Sequence, residues 1–485
     1  MTSSTPSNDT AIDLFIHGEF RPGTGHHLIK VINPATEDIV TTYVGAGPAD
    51  IDAALSSAQQ GLAVWRNSTP QERSSVLRRA ALWLRMHSEA IAMGMTQEMG
   101  KVLQQSRMEV EMGAETFEWY AEELRRVYGR VIPSRNAQVV QLVSNDPVGV
   151  VAGFSPWNFP LNQAVKKIAP AIAAGCSIIC KGPEEAPSAV VAIFQALREA
   201  GLPPGVANLL FGIPADISSR LLASPIVRKL SFTGSVPVGL SLAGLAAKDL
   251  KRTTFELGGH APVIITNDID ITAVAAVLVE TKIRNAGQTC ISPTRFLVQH
   301  RVFADLRDAM VERFERVTIG DSASAEVQMG PVANLRRLQA MRDMTSDARD
   351  AGARIACGGE RHGTRGYFWK PTLIERPPLS LRAMLDEPFG PLGLMIPYTE
   401  DHEAIAEANR LPFGLAAYVF CRASARARRL AQAVESGMVS INHFGLGLPE
   451  TPFGGIKHSG LGLEGGLEGI HAYLTSRFTS EYLSE

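Results

Sequence analysis

Four short blocks of this 485-residue chain carry the groups that an attack on a carbonyl carbon requires. Cys290 closes the stretch Arg284-Asn285-Ala286-Gly287-Gln288-Thr289-Cys290, just beyond a glycine that ends a predicted helix. Glu256 stands in Phe255-Glu256-Leu257-Gly258-Gly259, Asn158 in Pro156-Trp157-Asn158-Phe159-Pro160, and Glu387 in Glu387-Pro388-Phe389-Gly390-Pro391. A thiolate adds to the carbonyl. An amide side chain and a backbone N–H can hold the oxyanion that forms. A carboxylate can activate the water that releases an acid. Each residue alone says little. A lone cysteine is more often a buried apolar residue than a nucleophile, an asparagine in a proline-rich loop usually serves a turn, and a glutamate before Gly-Gly usually ends a strand in solvent. The combination is what points to chemistry.

The elements that must position these groups alternate. Residues 50–125 read as helical, with Pro70 where a first helical turn tolerates it. Residues 130–133 and 138–143 read as hairpin strands. From Val148 strands alternate with helices: strands at 148–154, 177–180, 206–211 and 229–232, helices at 163–174 and 189–200. A second alternating segment opens at Pro262-Val263-Ile264-Ile265. It continues through a helix at 271–284, Cys290 and a strand at 296–298, to about 440–442. Such alternation implies an α/β fold with parallel, doubly wound sheets, the lengths suiting two or three domains.

Bulk properties narrow the function. Hydrophobic residues at 45% and charged residues at 20% describe an ordinary soluble protein, and a formal net charge of −2 gives no reason to expect nucleic acid or an anionic membrane as partner. The basic cluster Arg422, Arg426, Arg428 and Arg429 reads as a solvated helix face. Five cysteines without framework spacing suit a reducing compartment, the cytoplasm. Residues 1–11 read as a disordered tail without the regions of a signal peptide. The most apolar uncharged stretch, 168–180, is broken by Pro170 and Gly175 and is too short to span a bilayer. Cys176 and Cys180 lack further ligands nearby in sequence, so no metal site is expected.

Phe232-Thr233-Gly234-Ser235 follows a strand and opens a helix, which suits Gly234 and Ser235 to a phosphate. Gly460-Leu461-Gly462-Leu463-Glu464-Gly465 fits a dinucleotide fingerprint in letters, but no strand precedes it, and a phosphate role is rejected there.

These blocks, with Pro452-Phe453-Gly454-Gly455, resemble the NAD(P)-dependent aldehyde dehydrogenase superfamily, in the family's order from about residue 14 to the C-terminus. The resemblance implies a Rossmann-like NAD domain (12–127, 147–257 and 456–468), a thiol-bearing α/β domain (258–455) and a small β bridging element (128–146 and 469–485) that pairs subunits into a homodimer or homotetramer. It implies Cys290 as nucleophile, Asn158 as oxyanion donor and Glu256 as the base for deacylation. It implies that Lys181 and Glu184 hold adenosine ribose hydroxyls, Glu387 the nicotinamide ribose, and that Trp157, Leu257 and Phe389 pack against the cofactor. A carboxylate at Glu184 would repel a 2′-phosphate, so NAD is expected over NADP. Lys181-Gly182-Pro183-Glu184-Glu185, Lys282-Ile283-Arg284 and Phe159-Pro160-Leu161-Asn162-Gln163 are similar to succinate-semialdehyde and α-ketoglutaric semialdehyde dehydrogenases. Those enzymes clamp a distal carboxylate with two arginines. Arg284 matches one, Lys166 stands at the other, and Gln163 is a further contact. A lysine keeps the charge and loses the bidentate fork. The other readings are a broad or aromatic aldehyde dehydrogenase and a non-catalytic binding protein on the same fold.

Overall fold

Strand Val150–Phe154 is the pivot of the first sheet. In the computed structural model, which describes residues 12–483, five parallel strands lie side by side in the order Arg252–Glu256, Val227–Thr233, Val150–Phe154, Ser177–Lys181 and Ala207–Leu210. The chain therefore winds one way from Val150–Phe154, then returns and winds the other way. The reversal leaves a switch point between Val150–Phe154 and Val227–Thr233, and ligands of open α/β sheets bind outside the carboxyl ends there. Nearly every residue of these central strands is buried, as expected of parallel strands covered on both faces. Leu14–Ile16 and Glu19–Arg21 extend one edge antiparallel, and Gly460–Leu461 closes the other against Phe255 and Glu256. The Gly460–Gly465 stretch thus opens as an edge strand. The expected tail, residues 1–11, lies outside the described residues.

Four helices precede this sheet, Pro48–Trp65, Pro70–Met86, Ser88–Met99 and Leu103–Glu123. Pro70 does open its helix. Thr69 accepts the Glu72 N–H at 3.2 Å while the Glu72 carboxylate accepts the Thr69 N–H at 2.7 Å, a reciprocal cap. The helix expected from Gln163 starts three residues earlier, at Pro160, and is buried along its length to Ala174. The cause is a remote cap: Glu109, on the fourth helix, accepts the N–H groups of Leu161 at 3.0 Å and Asn162 at 3.2 Å.

The second sheet has six parallel strands, Thr372–Glu375, Leu392–Tyr398, Pro293–Gln299, Ala261–Ile265, Ala416–Phe420 and Met438–Ile441, with Arg354–Cys357 antiparallel at one edge. Each large sheet has its own apolar core. A third sheet stands apart from both: Arg130–Ile132, Val139–Pro147 and Leu474–Tyr482, the last two paired antiparallel from Leu474↔Pro147 to Tyr482↔Val139. Among the described residues no helix is long and apolar enough to cross a membrane. Of the basic cluster, Arg422, Arg428 and Arg429 are exposed, and Arg426 pairs with Asp401.

Candidate active site

Glu256 is the last residue of a strand of the first sheet, and Gly258-Gly259 carry the chain straight to the first residue of the second sheet, Ala261. Cys290 precedes the strand Pro293–Gln299 of that second sheet. The carboxyl edge of one sheet therefore faces the amino edge of the other across a cavity of about 500 Å³. Cys290, Glu256, Asn158 and Gln163 line it, as do Trp157, Gly234, Ser235, Leu257, Glu387 and Phe389. Ten of the fourteen residues singled out in the sequence thus meet at one cavity. Lys181, Glu184, Lys166 and Arg284 are not in its wall.

The cysteine is presented by a strained turn. The helix Ile271–Ile283 stops one residue before the expected Arg284, and Asn285, Ala286 and Gly287 follow with φ of 50°, 50° and 73°. Two of these are not glycine, so the surroundings must over-determine the conformation. Gln105 accepts the Asn285 N–H at 2.9 Å, and the Asn285 amide donates to the Asn158 carbonyl at 3.0 Å and to the Gln288 carbonyl at 3.2 Å. The Gln288 side chain bridges from the Asn285 carbonyl to the Ala333 N–H. Asn158 donates to the Gln288 carbonyl at 3.0 Å, which fixes its side chain beside Cys290 and leaves a second amide hydrogen for a ligand. At Gly287 any Cβ would strike the Gly390 carbonyl, so this turn requires glycine.

The local field does not pre-ionise the sulfur. Burial, then the charges of Glu387 and Glu256, push the Cys290 thiol up to about 12, and Lys166 opposes them. Glu256 is itself buried, and neither carboxylate oxygen has a hydrogen-bond partner among the described residues. Burial and the nearby Glu464 push its carboxyl well above the usual range, against the pull of Lys167 and Lys166. A carboxylate so poorly solvated is a strong base. Glu387 has more support. It accepts the Gly259 N–H at 3.2 Å, and Arg337 and Lys282 oppose the burial that pushes it up to about 7. Phe389 meets Trp157 edge-on at 5.6 Å, and the Arg337 guanidinium lies 5.7 Å from the Phe389 ring while donating to the Pro388 carbonyl.

Residues 20–479 match the pattern of the aldehyde dehydrogenase family. The chain belongs to that family. It is 45% identical over 466 residues to 4-(hydroxymethyl)benzenesulfonate dehydrogenase TsaD1 of Comamonas testosteroni, covering 96% of this chain and 97% of that one. It is 36% identical over 463 residues to succinate-semialdehyde dehydrogenase [NADP(+)] GabD of Escherichia coli strain K12, covering 96% of each. The crystal structure of betaine aldehyde dehydrogenase from Staphylococcus aureus in complex with NAD+ superposes with a TM-score of 0.95 at 30% identity, covering 98% of this chain and 96% of that one. Members of the family are NAD(P)-dependent oxidoreductases of aldehydes, so the reading as a non-catalytic binding protein falls away.

Several neighbours of the cavity in this aldehyde dehydrogenase are invisible in the sequence motifs. Lys167, next to the singled-out Lys166, is fully buried; it pairs with Glu464 at 2.8 Å and donates to Thr233 at 2.6 Å. Glu464 belongs to the glycine-rich stretch set aside as a phosphate loop, and it also accepts from Ser231 at 3.2 Å. No local signal joins residues 297 positions apart. Arg337, on the helix Leu335–Asp350, has no motif around it either.

The remaining expected contacts stand outside the cavity wall. Lys166 sits on the buried helix with its ammonium 4.2 Å from the Phe453 ring centre; burial pushes its pKa down, opposed by the charges of Glu464, Glu256 and Cys290. Arg284 lies over the Phe159 ring at 5.6 Å. Tyr418 donates to the Ile291 carbonyl at 2.7 Å, one residue past the cysteine, and packs on Phe444 at 4.4 Å. Lys181 ends its strand and forms an ion pair with Glu184.

Proposed function

We propose that this aldehyde dehydrogenase oxidises an aldehyde that carries a second, anionic end, through a thioester on Cys290. The observation that carries the reading is a donor-free, buried Glu256 carboxylate in the wall of the same cavity as Cys290 and the Asn158 amide. Cys290 loses its proton to a base as its sulfur bonds to the aldehyde carbon, giving a tetrahedral thiohemiacetal. The Asn158 amide and the Cys290 N–H receive the oxyanion. A nicotinamide cofactor held in this cavity would supply the hydride acceptor for the hydrogen on carbon, and collapse would then leave a thioester on Cys290. The thioester left on sulfur is cleaved by a water that gives its proton to Glu256.

The residues suit a dinucleotide at the carboxyl ends of the first sheet. Gly234 and Ser235 open the helix Val236–Ala247, the Ser235 side chain makes no capping hydrogen bond, and a Cβ on Gly258 would come within 2.5 Å of Glu387. In this reading Trp157, Leu257 and Phe389 flank the nicotinamide, Glu387 takes its ribose, and Lys181 with Glu184 takes the adenosine ribose. The Glu184 carboxylate favours NAD over NADP; GabD bears NADP(+) in its name, and the staphylococcal structure holds NAD+.

Lys166, Arg284 and Gln163 are the proposed contacts of the distal anion. Gln163 supports this from the cavity wall, where its amide N–H groups are donors an anion can accept from. A carboxylate-bearing semialdehyde, succinate or α-ketoglutaric, is the first reading. Phe159, Tyr418, Phe444 and Phe453 around the two cations favour a second, an aromatic aldehyde bearing a sulfonate or carboxylate, in line with the benzenesulfonate in the name of the 45% identical relative. Succinate semialdehyde, 4-carboxybenzaldehyde, 4-formylbenzenesulfonate and uncharged analogues of each, run with NAD and NADP, decide between them. The anionic members should exceed their uncharged analogues at least about tenfold in kcat/KM, and Arg284→Ala should remove about that factor, as expected for one charged hydrogen bond. Equal rates for charged and uncharged aldehydes would end the anion reading.

The proposal extends to the whole molecule. The first sheet with its helices forms the cofactor domain (12–127, 147–257, 456–468), residues 258–455 form the thiol domain, and the third sheet pairs subunits in a cytoplasmic homodimer or homotetramer. Val131 at 72% and Phe478 at 58% exposure are the kind of apolar surface such pairing would cover.

A further inference from the structure

Lys282 lies in the last turn of the helix Ile271–Ile283 and is fully buried. A buried lysine is costly unless its charge serves something, and a methionine would fill the same space without that cost. Its ammonium donates to the Ser292 hydroxyl at 3.3 Å. Ser292 closes the turn that bears the nucleophile: its N–H donates to the Thr289 carbonyl at 2.9 Å, with Cys290 at the corner. On its other side Lys282 is close enough to Glu387 for each charge to act on the other. Gly259 joins the two ends, donating to Glu387 while packing so closely on the turn that a Cβ would lie 2.7 Å from the Cys290 carbonyl oxygen.

We propose that Lys282 is a positioning residue with two arms: through Ser292 it fixes the turn that presents Cys290, and as the buried cation behind Glu387 it supports that carboxylate as an acceptor for ribose hydroxyls. The second arm rests on the reading of Glu387 as the ribose acceptor. The charged and titratable groups facing this pair are Arg337 from the helix Leu335–Asp350, Cys290 from the turn, and His260 from the segment between the two sheets. His260 is held between Thr294 at 2.7 Å and the Ala383 carbonyl at 3.0 Å, and burial keeps it neutral. Burial draws Lys282 down to about 7 and Glu387 up to about 7, so the pair changes ionisation close to neutral pH. Removing the cation raises Glu387 further, and its carboxylate then forms only at higher pH.

The test is NAD affinity by titration calorimetry between pH 6 and 9, together with the rate of Cys290 alkylation by iodoacetamide in the cofactor-free enzyme. Wild-type affinity should fall as pH drops through the neutral range. Lys282→Met should move that midpoint up by about one pH unit. Ser292→Ala should leave the midpoint in place and speed alkylation about threefold to tenfold, the factor expected from losing one hydrogen bond on the turn. Glu387→Gln should bind NAD weakly and without the acid limb. An unshifted midpoint in Lys282→Met overturns the electrostatic arm, and an unchanged alkylation rate in Ser292→Ala overturns the turn arm. Glu387→Gln binding as tightly as wild type removes the ribose reading itself, an outcome distinct from a weak Glu387→Gln beside an unshifted Lys282→Met. Should Lys282→Met fail to fold, an acid limb that persists in Glu387→Gln overturns the electrostatic arm by itself.

Discussion

Two carboxylates, one buried and one half-buried, line the cavity with Cys290, and they are built differently. Glu256 ends a registered strand of the first sheet, opposite Thr233, and neither of its oxygens receives a hydrogen bond. Glu387 sits in a loop of the second half of the molecule, where it receives the Gly259 N–H and faces Arg337 and Lys282. Burial raises both, and both raise the thiol. What separates them is the donor set. A carboxylate starved of donors gains most by taking a proton, whereas one held by an N–H and two cations stays an acceptor for hydroxyl groups. Two residues of one type thus yield two different tools, and the proposed roles follow from that contrast in donors.

Removing the atom between them should have the largest effect. Cys290→Ala should abolish both NADH formation and acid production, and mass spectrometry of the enzyme mixed with aldehyde and NAD should find no acyl adduct. Persistent turnover would mean another nucleophile. The contrast between the carboxylates sharpens in the next variant. Glu256→Gln should retain a burst of NADH from acylation and slow steady turnover by about 10²- to 10⁴-fold, the range for a lost general base. Loss of burst and turnover in equal measure would show that Glu256 is also needed to deprotonate Cys290. The same base governs pH dependence. Because burial pushes the Glu256 carboxyl well above its ordinary value of 4.5, deacylation should fail on acidification at a pH well above that figure, and Glu256→Gln should lack this limb.

The contrast was only partly legible in the sequence. Alternating apolar segments located the four strands expected between Val148 and Phe232 within a residue or two, because period and burial are local properties, whereas the strand expected at 296–298 starts three residues earlier, at Pro293. The Cys290, Glu256, Asn158 and Glu387 blocks were legible as chemistry, and all four line one cavity. What escaped is long-range. The Glu109 cap that starts the Pro160 helix early, the Lys167–Glu464 pair behind Glu256 and the Lys282 charge near Glu387 each join residues far apart in the chain. The succession of Asn285, Ala286 and Gly287 in left-handed backbone also escaped, since only the glycine advertises such a conformation and the other two are held there by Gln105, Asn158 and Gln288. The absence of hydrogen-bond donors around Glu256, on which the comparison turns, is a property of folded space alone.

The smallest expected effect is on stability, and it tests the comparison without any substrate. A carboxyl group raised on folding binds a proton more tightly in the native state than in the unfolded chain. Its contribution is therefore fully present below the ordinary carboxyl pKa and is lost as pH rises through the folded value. For Glu387 that window runs from about 4.5 to about 7, and above it the loss is complete. For Glu256 the window opens at the same point and ends at its own raised value. A glutamine at either position does not titrate and escapes the loss. At pH 8 Glu256→Gln should be more stable than wild type by about 1–3 kcal/mol, the usual cost of a buried group left without partners. For a chain of this length that is about 1–3 °C in the melting midpoint. Glu387→Gln should gain less, because its carboxylate already has an N–H and two cations, and removing it leaves Lys282 and Arg337 facing a neutral amide. Melting scans of the three proteins at pH 5 and pH 8 measure this. Equal gains from the two substitutions, or no growth of the Glu256→Gln advantage with pH, would mean that water supplies in solution the donors missing around Glu256.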